Sequence, residues 1–405
     1  MAGGSNLTDV QALNLRTVYD VVRLDGPISR AEIARRLDLA VPTISNIVRS
    51  LLDKGLLYEA PGPQGGRGKR PIALQVRPDG GFAIGLNVDR DRLDGVITDL
   101  VGTTRHRVQR AIGQAHPDEV LPHLQDMHEE LLNVEGIPRD RIWGTGVAVP
   151  GPLHARDAMI EAAGDLFELP GWTGVDVHAR LAERLGEPVA IENHAVAAAI
   201  GETWWGTGQR LDSFFLVYFG LYLGGAAVVN GTVARGATGF ANEFGSIPVP
   251  TAGGAYAPLG TLVSLAALLE HLHEAGVSLR EVEELGDLVS DGNETVLAWL
   301  DGAADRLAPA LATIECLLDP EAILFGERFP EPLVRALIDR LEVRMPSFAV
   351  PYKPRRARLG VGRLGGDAAA TGAATLPLYR ALHPDVFVAE AIGGSGRRKT
   401  WPTIL

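Results

Sequence analysis

PISRAEIARRLDLAVPTISNIVRSLLDK, residues 27–54, decides how the first part of this 405-residue chain folds. Ser29 and Glu32 stand three residues apart ahead of an apolar run. In that pattern each side chain caps the other's backbone N–H at a helix start. Ile33, Ala34 and Leu37 give the short helix its apolar face. A tight turn around Asp38–Val41 leads to Pro42, which suits the first turn of a helix because no N–H is needed there. The next helix runs to about Lys54. Ile44, Ile47, Val48, Leu51 and Leu52 recur on one side at helical spacing. The other side carries Thr43, Ser45, Asn46, Arg49 and Ser50. Two helices joined by a tight turn, the second with such a polar face, predict a helix-turn-helix. The plainer alternative is a three-helix interaction module with a solvated face. Upstream, Leu15, Val18, Tyr19 and Val22 predict one more helix, stopped by Gly26 and Pro27.

Residues 56–77 read LLYEAPGPQGGRGKRPIALQVR. Leu56–Tyr58 and Ile72–Val76 predict two short strands around a Gly/Pro-rich loop that holds Arg67, Lys69 and Arg70. A hairpin with a basic tip behind a recognition helix reads as a wing whose cations meet phosphates or a narrow minor groove. The alternative is a linker with solvated charges. The DNA-contacting set expected from these stretches is Ser29, Arg30, Thr43, Ser45, Asn46, Arg49, Arg67, Lys69 and Arg70. Its partner would be a double-stranded, pseudo-palindromic operator bound by a homodimer or homotetramer.

Charge supports a two-part design. The chain as a whole carries −12. Residues 1–77 hold 11 Lys/Arg against 7 Asp/Glu, a net +4, which leaves −16 on the rest. An acidic body lying against a duplex would repel it, so the body is expected to stand away from DNA. The single cysteine excludes an internal disulfide and a Cys cluster for zinc. Cys316, in LATIECLLD, reads as a small core residue. No apolar run is long enough to span a bilayer, and no leader-like pattern opens the chain, so a cytoplasmic location without membrane contact is expected.

From Gly81 onward strands and helices alternate. FAIGLNV (82–88) and LDGVITDL (93–100) open one strand-rich stretch, SFFLVYFG (213–220) and GAAVVNG (225–231) another. Two such starts predict a duplicated α/β unit with a cleft between the copies. The expected divisions are 1–78 for the DNA-binding head, 79–383 for a two-lobed body and 384–405 for a tail.

These residues carry a resemblance. VAVPGPL (147–153), IENHAVAAAIGE (191–202), GATGFANEFGS (236–246), LLDPEAILFG (317–326) and TGAA (371–374) fall in the order and spacing of the ROK family, which groups bacterial sugar-responsive repressors with sugar kinases. The head resembles that of the repressor branch. The resemblance implies an α/β fold: a winged helix-turn-helix ahead of a two-lobed sugar kinase/actin-like body with a sugar cleft. It implies a transcriptional regulator, a repressor of carbohydrate genes, with a sugar effector. The alternatives are a ligand-independent regulator with a degenerate body, and a sugar kinase.

Departures from the family pattern argue against the kinase. Where the kinases carry the Asp-x-Gly-Gly-Thr phosphate loop, this chain has Asn87-Val88-Asp89-Arg90-Asp91, with no glycine and two added carboxylates. Their catalytic Asp corresponds to His194, which is either a hydrogen-bonding group for a ligand or a cap for the following helix. The family's three zinc-binding cysteines correspond to Ala257, Leu259 and Ser264, its zinc-binding His to Ser246, and a sugar-contacting Glu to Ala266. No cofactor, no metal and no catalytic residue are therefore expected. The expected ligand-binding set is Asn193, His194, Glu243 and Ser246. His271 and His273 fall on different faces of one helix and read as solvated surface.

Overall fold

The computed structural model describes residues 7–62, 72–113, 116–151, 153, 171–172, 175–251, 253–345 and 355–382. The head consists of α1 (Leu7–Asp25), α2 (Arg30–Leu37) and α3 (Val41–Asp53), followed by strands β1 (Leu57–Pro61) and β2 (Ile72–Val76). The two strands pair antiparallel. The Ser29 hydroxyl accepts from Glu32 N–H at 3.2 Å and caps α2. Ile44, Val48 and Leu51 are fully buried, while Ile47 and Leu52 are only half-buried, so the inner stripe of α3 is narrower than its sequence pattern. Arg67, Lys69 and Arg70 lie outside the described residues, as does the expected tail from residue 384.

The first lobe is built on a sheet ordered β5-β4-β3-β6-β7. Its strands are β3 (Phe82–Val88), β4 (Arg92–Asp99), β5 (Thr104–Ala111), β6 (Ile142–Val149) and β7 (Val189–Asn193). Helices α4 (Pro117–Leu132) and α5 (Val177–Leu185) lie between β5 and β7 in the chain, and α6 (His194–Trp205) follows directly. The second lobe repeats the arrangement as β10-β9-β8-β13-β14. Those strands are β8 (Phe214–Phe219), β9 (Leu223–Val229), β10 (Thr232–Val233), β13 (Ala322–Glu327) and β14 (Arg358–Val361). In each lobe the central strand pairs antiparallel with the next strand in sequence and parallel with a later one. The duplication expected from the two strand-rich starts is thus present in the topology.

A small ribbon of β11 (Pro248–Pro250) and β12 (Tyr256–Pro258) precedes α7 (Leu259–Leu262) and α8 (Leu265–Glu274). Then come α9 (Glu284–Ser290), α10 (Glu294–Leu318), α11 (Glu331–Arg344) and finally α12 (Ala368–Leu382). Every residue of β3 is buried, as a strand covered on both faces requires. Close backbone approach fixes one of those covers. A Cβ on Gly146 would stand 1.9 Å from Ala373 O, and one on Gly372 1.9 Å from Ala197 O. Helix α12 is therefore pressed against β6 on one side and α6 on the other.

The head does not hang on a free linker. Val18, Tyr19, Ile33, Val48 and Leu74 belong to one continuous apolar cluster with Trp143, Trp204, Trp205, Ala374 and Leu378 of the body. Arg23 on α1 stacks over Trp204 at 4.5 Å, and its Nη1 donates to Trp204 O at 3.0 Å. One reading from sequence is corrected. Cys316 is exposed, not core. The inward position on α10 belongs to its neighbour Glu315, which is buried and whose Oε1 accepts from Ala357 N–H at 2.8 Å. Cys316 turns outward beside Leu317, which is 75% exposed.

Candidate ligand cleft and nucleic-acid interface

A cavity opens between the lobes. Asp89 and Arg90 from the β3–β4 turn, Gly151 after β6, and Asn193 and His194 at the β7–α6 junction line one side. Tyr222, Gly224, Asn242 and Glu243 line the other.

Asn193 is already committed to the backbone. Its Oδ1 accepts from Ala195 N–H at 2.9 Å and caps α6, and its Nδ2 donates to Gly151 O at 2.8 Å. His194 stacks on the Tyr218 ring with centroids 4.6 Å apart. Its Nδ1 is buried without a hydrogen-bond partner among the described residues. Burial pushes its pKa down to about 4, against a weaker upward pull from Asp89. It is therefore a neutral imidazole at pH 7. Burial likewise raises the Glu243 carboxyl above the usual carboxylate range. Ser246, expected beside Glu243, is exposed and does not line the cavity. Its N–H closes a 3-10 turn onto Glu243 O at 3.0 Å, and that turn carries the side chain outward.

The positions matching the phosphate loop hold an internal ion cluster. Arg328, on the turn after β13, donates from Nη1 to Asp91 Oδ1 at 2.8 Å and to Asp89 Oδ2 at 3.2 Å. Its Nη2 donates to Asp91 Oδ2 at 2.9 Å. The fork thus joins the second lobe to the first. Arg235 and Glu192 make a second bridge at 2.6 Å, and Arg90 stacks on Tyr222 at 4.5 Å as a third link. Glu327, which precedes Arg328, has φ 86°, a left-handed conformation that favours glycine. Its side chain is buried and accepts from Ala369 N–H at 3.2 Å. Burial and then Asp94 raise its pKa well above that of a free carboxylate.

No sequence signal marks Arg328, because Asp91 lies 237 residues away. Asn242 was equally unmarked; it accepts from Ala227 N–H at 2.9 Å and donates to Ala234 O at 2.7 Å, holding the loop that bears Glu243. The positions that the resemblance sets against the family's zinc ligands have other uses. Leu259 is in the core of the second lobe and Ser264 caps α8 through Ala267 N–H. Among the described residues no three His, Cys, Asp or Glu gather as metal ligands. His271 is half-buried and His273 exposed.

On the head, Thr43, Asn46 and Arg49 are exposed and Ser45 half-exposed along α3. Arg49 has no ion-pair partner among the described residues, whereas Arg30 is tied to Glu59 at 2.7 Å. Arg35 and Arg36 both hydrogen-bond Glu32, lowering its carboxyl to about 2. Much of the positive charge of α2 is thus neutralised locally. The cation on α3 is left open.

Residues 83–379 match the family model described as ROK family, and residues 5–68 match the one described as MarR family. The chain belongs to the ROK family. Within it, this ROK chain is 29% identical over 395 residues to an uncharacterised protein of Sinorhizobium fredii, covering 96% of each. It is 26% identical over 385 residues to the xylose repressor of Bacillus spizizenii, covering 93% of this chain and 97% of that one. Among solved structures, a ROK family transcriptional regulator, a homologue of the E. coli MLC protein, superposes with TM-score 0.71 at 22% identity. That match covers 95% of this chain and 100% of the other. A ROK glucokinase from Streptomyces griseus, solved with glucose and AMPPNP, superposes with TM-score 0.62 at 20% identity, covering 73% of this chain and 99% of that one. No helix among the described residues is long and apolar enough to cross a membrane.

Proposed function

We propose that this ROK protein is a DNA-binding transcriptional regulator, a repressor of carbohydrate genes, whose operator affinity is set by a sugar or sugar derivative in the interlobe cavity. The reading rests on a ROK body joined to a MarR-type head and on full-length similarity to a xylose repressor. One structural observation carries the coupling. Helix α6 begins in the cavity at His194 and ends at Trp204 and Trp205, against Arg23 of the head. Its 12 residues span roughly 17 Å. A ligand touching the Asn193–His194 end acts on an element clamped to α12 and docked to α1. It changes operator affinity only by its preference for one arrangement over another.

Kinase activity is the weaker reading. Asp89 and Asp91 place two carboxylates and a guanidinium where a polyphosphate would need backbone donors, and a neutral His194 stands in place of the catalytic Asp. A ligand-independent regulator is favoured by one observation: the ion pairs of Arg328 and Arg235 already fasten the cleft.

Thr43, Ser45, Asn46 and Arg49 would enter the major groove, with Arg67, Lys69 and Arg70 of the wing on backbone or minor groove, in a homo-oligomer spanning two half-sites. The test selects genomic fragments bound by the full chain and measures their affinity with and without D-xylose and D-glucose. An Arg49→Ala variant is expected to lose roughly 5- to 100-fold in affinity. Unchanged affinity and sequence preference would refute the assignment of α3. Turnover of ATP with a sugar would overturn the regulator reading.

A further inference from the structure

Among the described residues, α2, α5, α6, α8 and α10 start with a side-chain oxygen that accepts a backbone N–H: Ser29, Asp176, Asn193, Ser264 and Asn293. Helix α3 does not. Its cap is Ala40, with no side-chain hydrogen bond, followed by Val41 and Pro42. All three are exposed, Val41 at 50%. The leading edge of α3 is therefore three successive apolar residues facing outward.

Scattered surface apolar residues need no explanation. This stretch differs in two respects. First, α3 shares the lack of a side-chain cap with α7, α9 and α11, but here the uncapped start is a run of three exposed apolar residues. Second, α3 is held by Ile44, Val48 and Leu51, all fully buried, so the tip cannot turn inward. It is also continuous with the exposed Thr43, Asn46 and Arg49. A polar face with one open cation, fronted by an apolar edge, matches the major groove. There the thymine 5-methyl is the only apolar group that a base edge presents.

We propose that Val41 is a specificity residue that packs against a thymine methyl in each half-site, with Ala40 and Pro42 completing the apolar contact. This rests on the DNA-binding reading above. Ser, Thr, Asn or Asp at position 40 would restore the cap but bring a polar group to the methyl. Burial of one methyl is worth about a CH2 group's transfer, which corresponds to roughly a 4-fold change in affinity.

The experiment uses the full-length protein. Operator DNA is obtained by selection from a random-sequence pool, and each dT is then replaced singly by dU, which removes only the 5-methyl. One or two such replacements per half-site should weaken binding by roughly 3- to 10-fold. Val41→Gly, which removes both γ-methyls at a position of the first helical turn, should lose most of the dT preference, while His273→Ala, exposed on the body, keeps it. Circular dichroism checks that both variants are folded. An operator with no dU-sensitive position, or a Val41→Gly protein that keeps the full sensitivity, overturns the proposal and leaves the regulator reading intact. Selection that recovers no bound DNA overturns both.

Discussion

Arg328→Met removes the fork that joins the lobes while keeping most of the side-chain volume. The Arg328 side chain is 5% exposed and that of Asp89 3%, whereas Asp91 is 44% exposed. Asp91 will rehydrate on losing its partner and contributes little, as exposed pairs do. Asp89 will not. It retains Arg90 N–H at 2.8 Å and a long contact from Leu221 N–H at 3.4 Å, and is otherwise an uncompensated buried carboxylate. Removing one partner of a buried pair typically costs about 3–5 kcal/mol. The two remaining donors place this case near the lower end, about 3 kcal/mol. Adding Asp89→Asn removes the stranded charge, so the double variant should recover most of that loss, a coupling of about 2 kcal/mol. Arg328→Lys should recover only part, because an ammonium lacks the planar fork that meets both oxygens of Asp91 while reaching Asp89. The assay is urea denaturation at pH 7, followed by tryptophan fluorescence and by circular dichroism, since a two-lobed chain need not unfold in one step. An Arg328→Met protein within 0.5 kcal/mol of wild type, or one that Asp89→Asn fails to rescue, would show that this guanidinium is not what satisfies Asp89.

Four further outcomes follow from the geometry. His194 has a folded pKa of about 4 against an ordinary 6.5, so the unfolded chain binds the proton more readily and stability falls as pH drops through that window, by on the order of 2–3 kcal/mol; His194→Asn should flatten this acid limb in thermal melts at pH 4 to 7. Glu327 is shifted the other way, so the folded state holds a proton that the unfolded state releases above about 4.5, and stability falls as pH rises; Glu327→Gln should gain over wild type more at pH 8 than at pH 5. Gly372→Ala sets a Cβ 1.9 Å from Ala197 O and should cost about 1–3 kcal/mol by separating α12 from α6, read as a lowered unfolding midpoint. Arg23→Met removes the stack on Trp204 and the bond to its carbonyl, so hydrogen exchange should quicken in α1 and Trp204–Trp205 but not in β8 or β13.

Much of the head was legible because its signals are local. The Ser29–Glu32 spacing and the Ile44–Val48–Leu51 stripe act over three to seven residues, within the reach of helix geometry. The strand-rich starts near 82 and 213 carried the lobe duplication in the same way. Periodicity misled where it was weak. In α10 nearly every residue from 307 to 312 is buried, so the run into Glu315 and Cys316 gives no clear face. The polar residue went inward because Ala357 N–H needed an acceptor there. Ser246 was read from its match to the His of the family motif, and a 3-10 turn from Glu243 carries it outward.

The sequence by itself determined the helix-turn-helix, the paired α/β units and the glycine-free run Asn87–Asp91, because each is encoded within one short segment. Tertiary structure alone decided that Arg328 would answer Asp89 and Asp91, that the Asn193 amide would be spent on Gly151, and that the head would share its core with Trp204 and α12. The Asn193–Gly151, Arg23–Trp204 and Arg328–Asp89 bonds join residues 42, 181 and 239 positions apart. A buried charge or a docked helix takes whichever partner the fold brings near, and that choice is made by packing and desolvation, which no local pattern records.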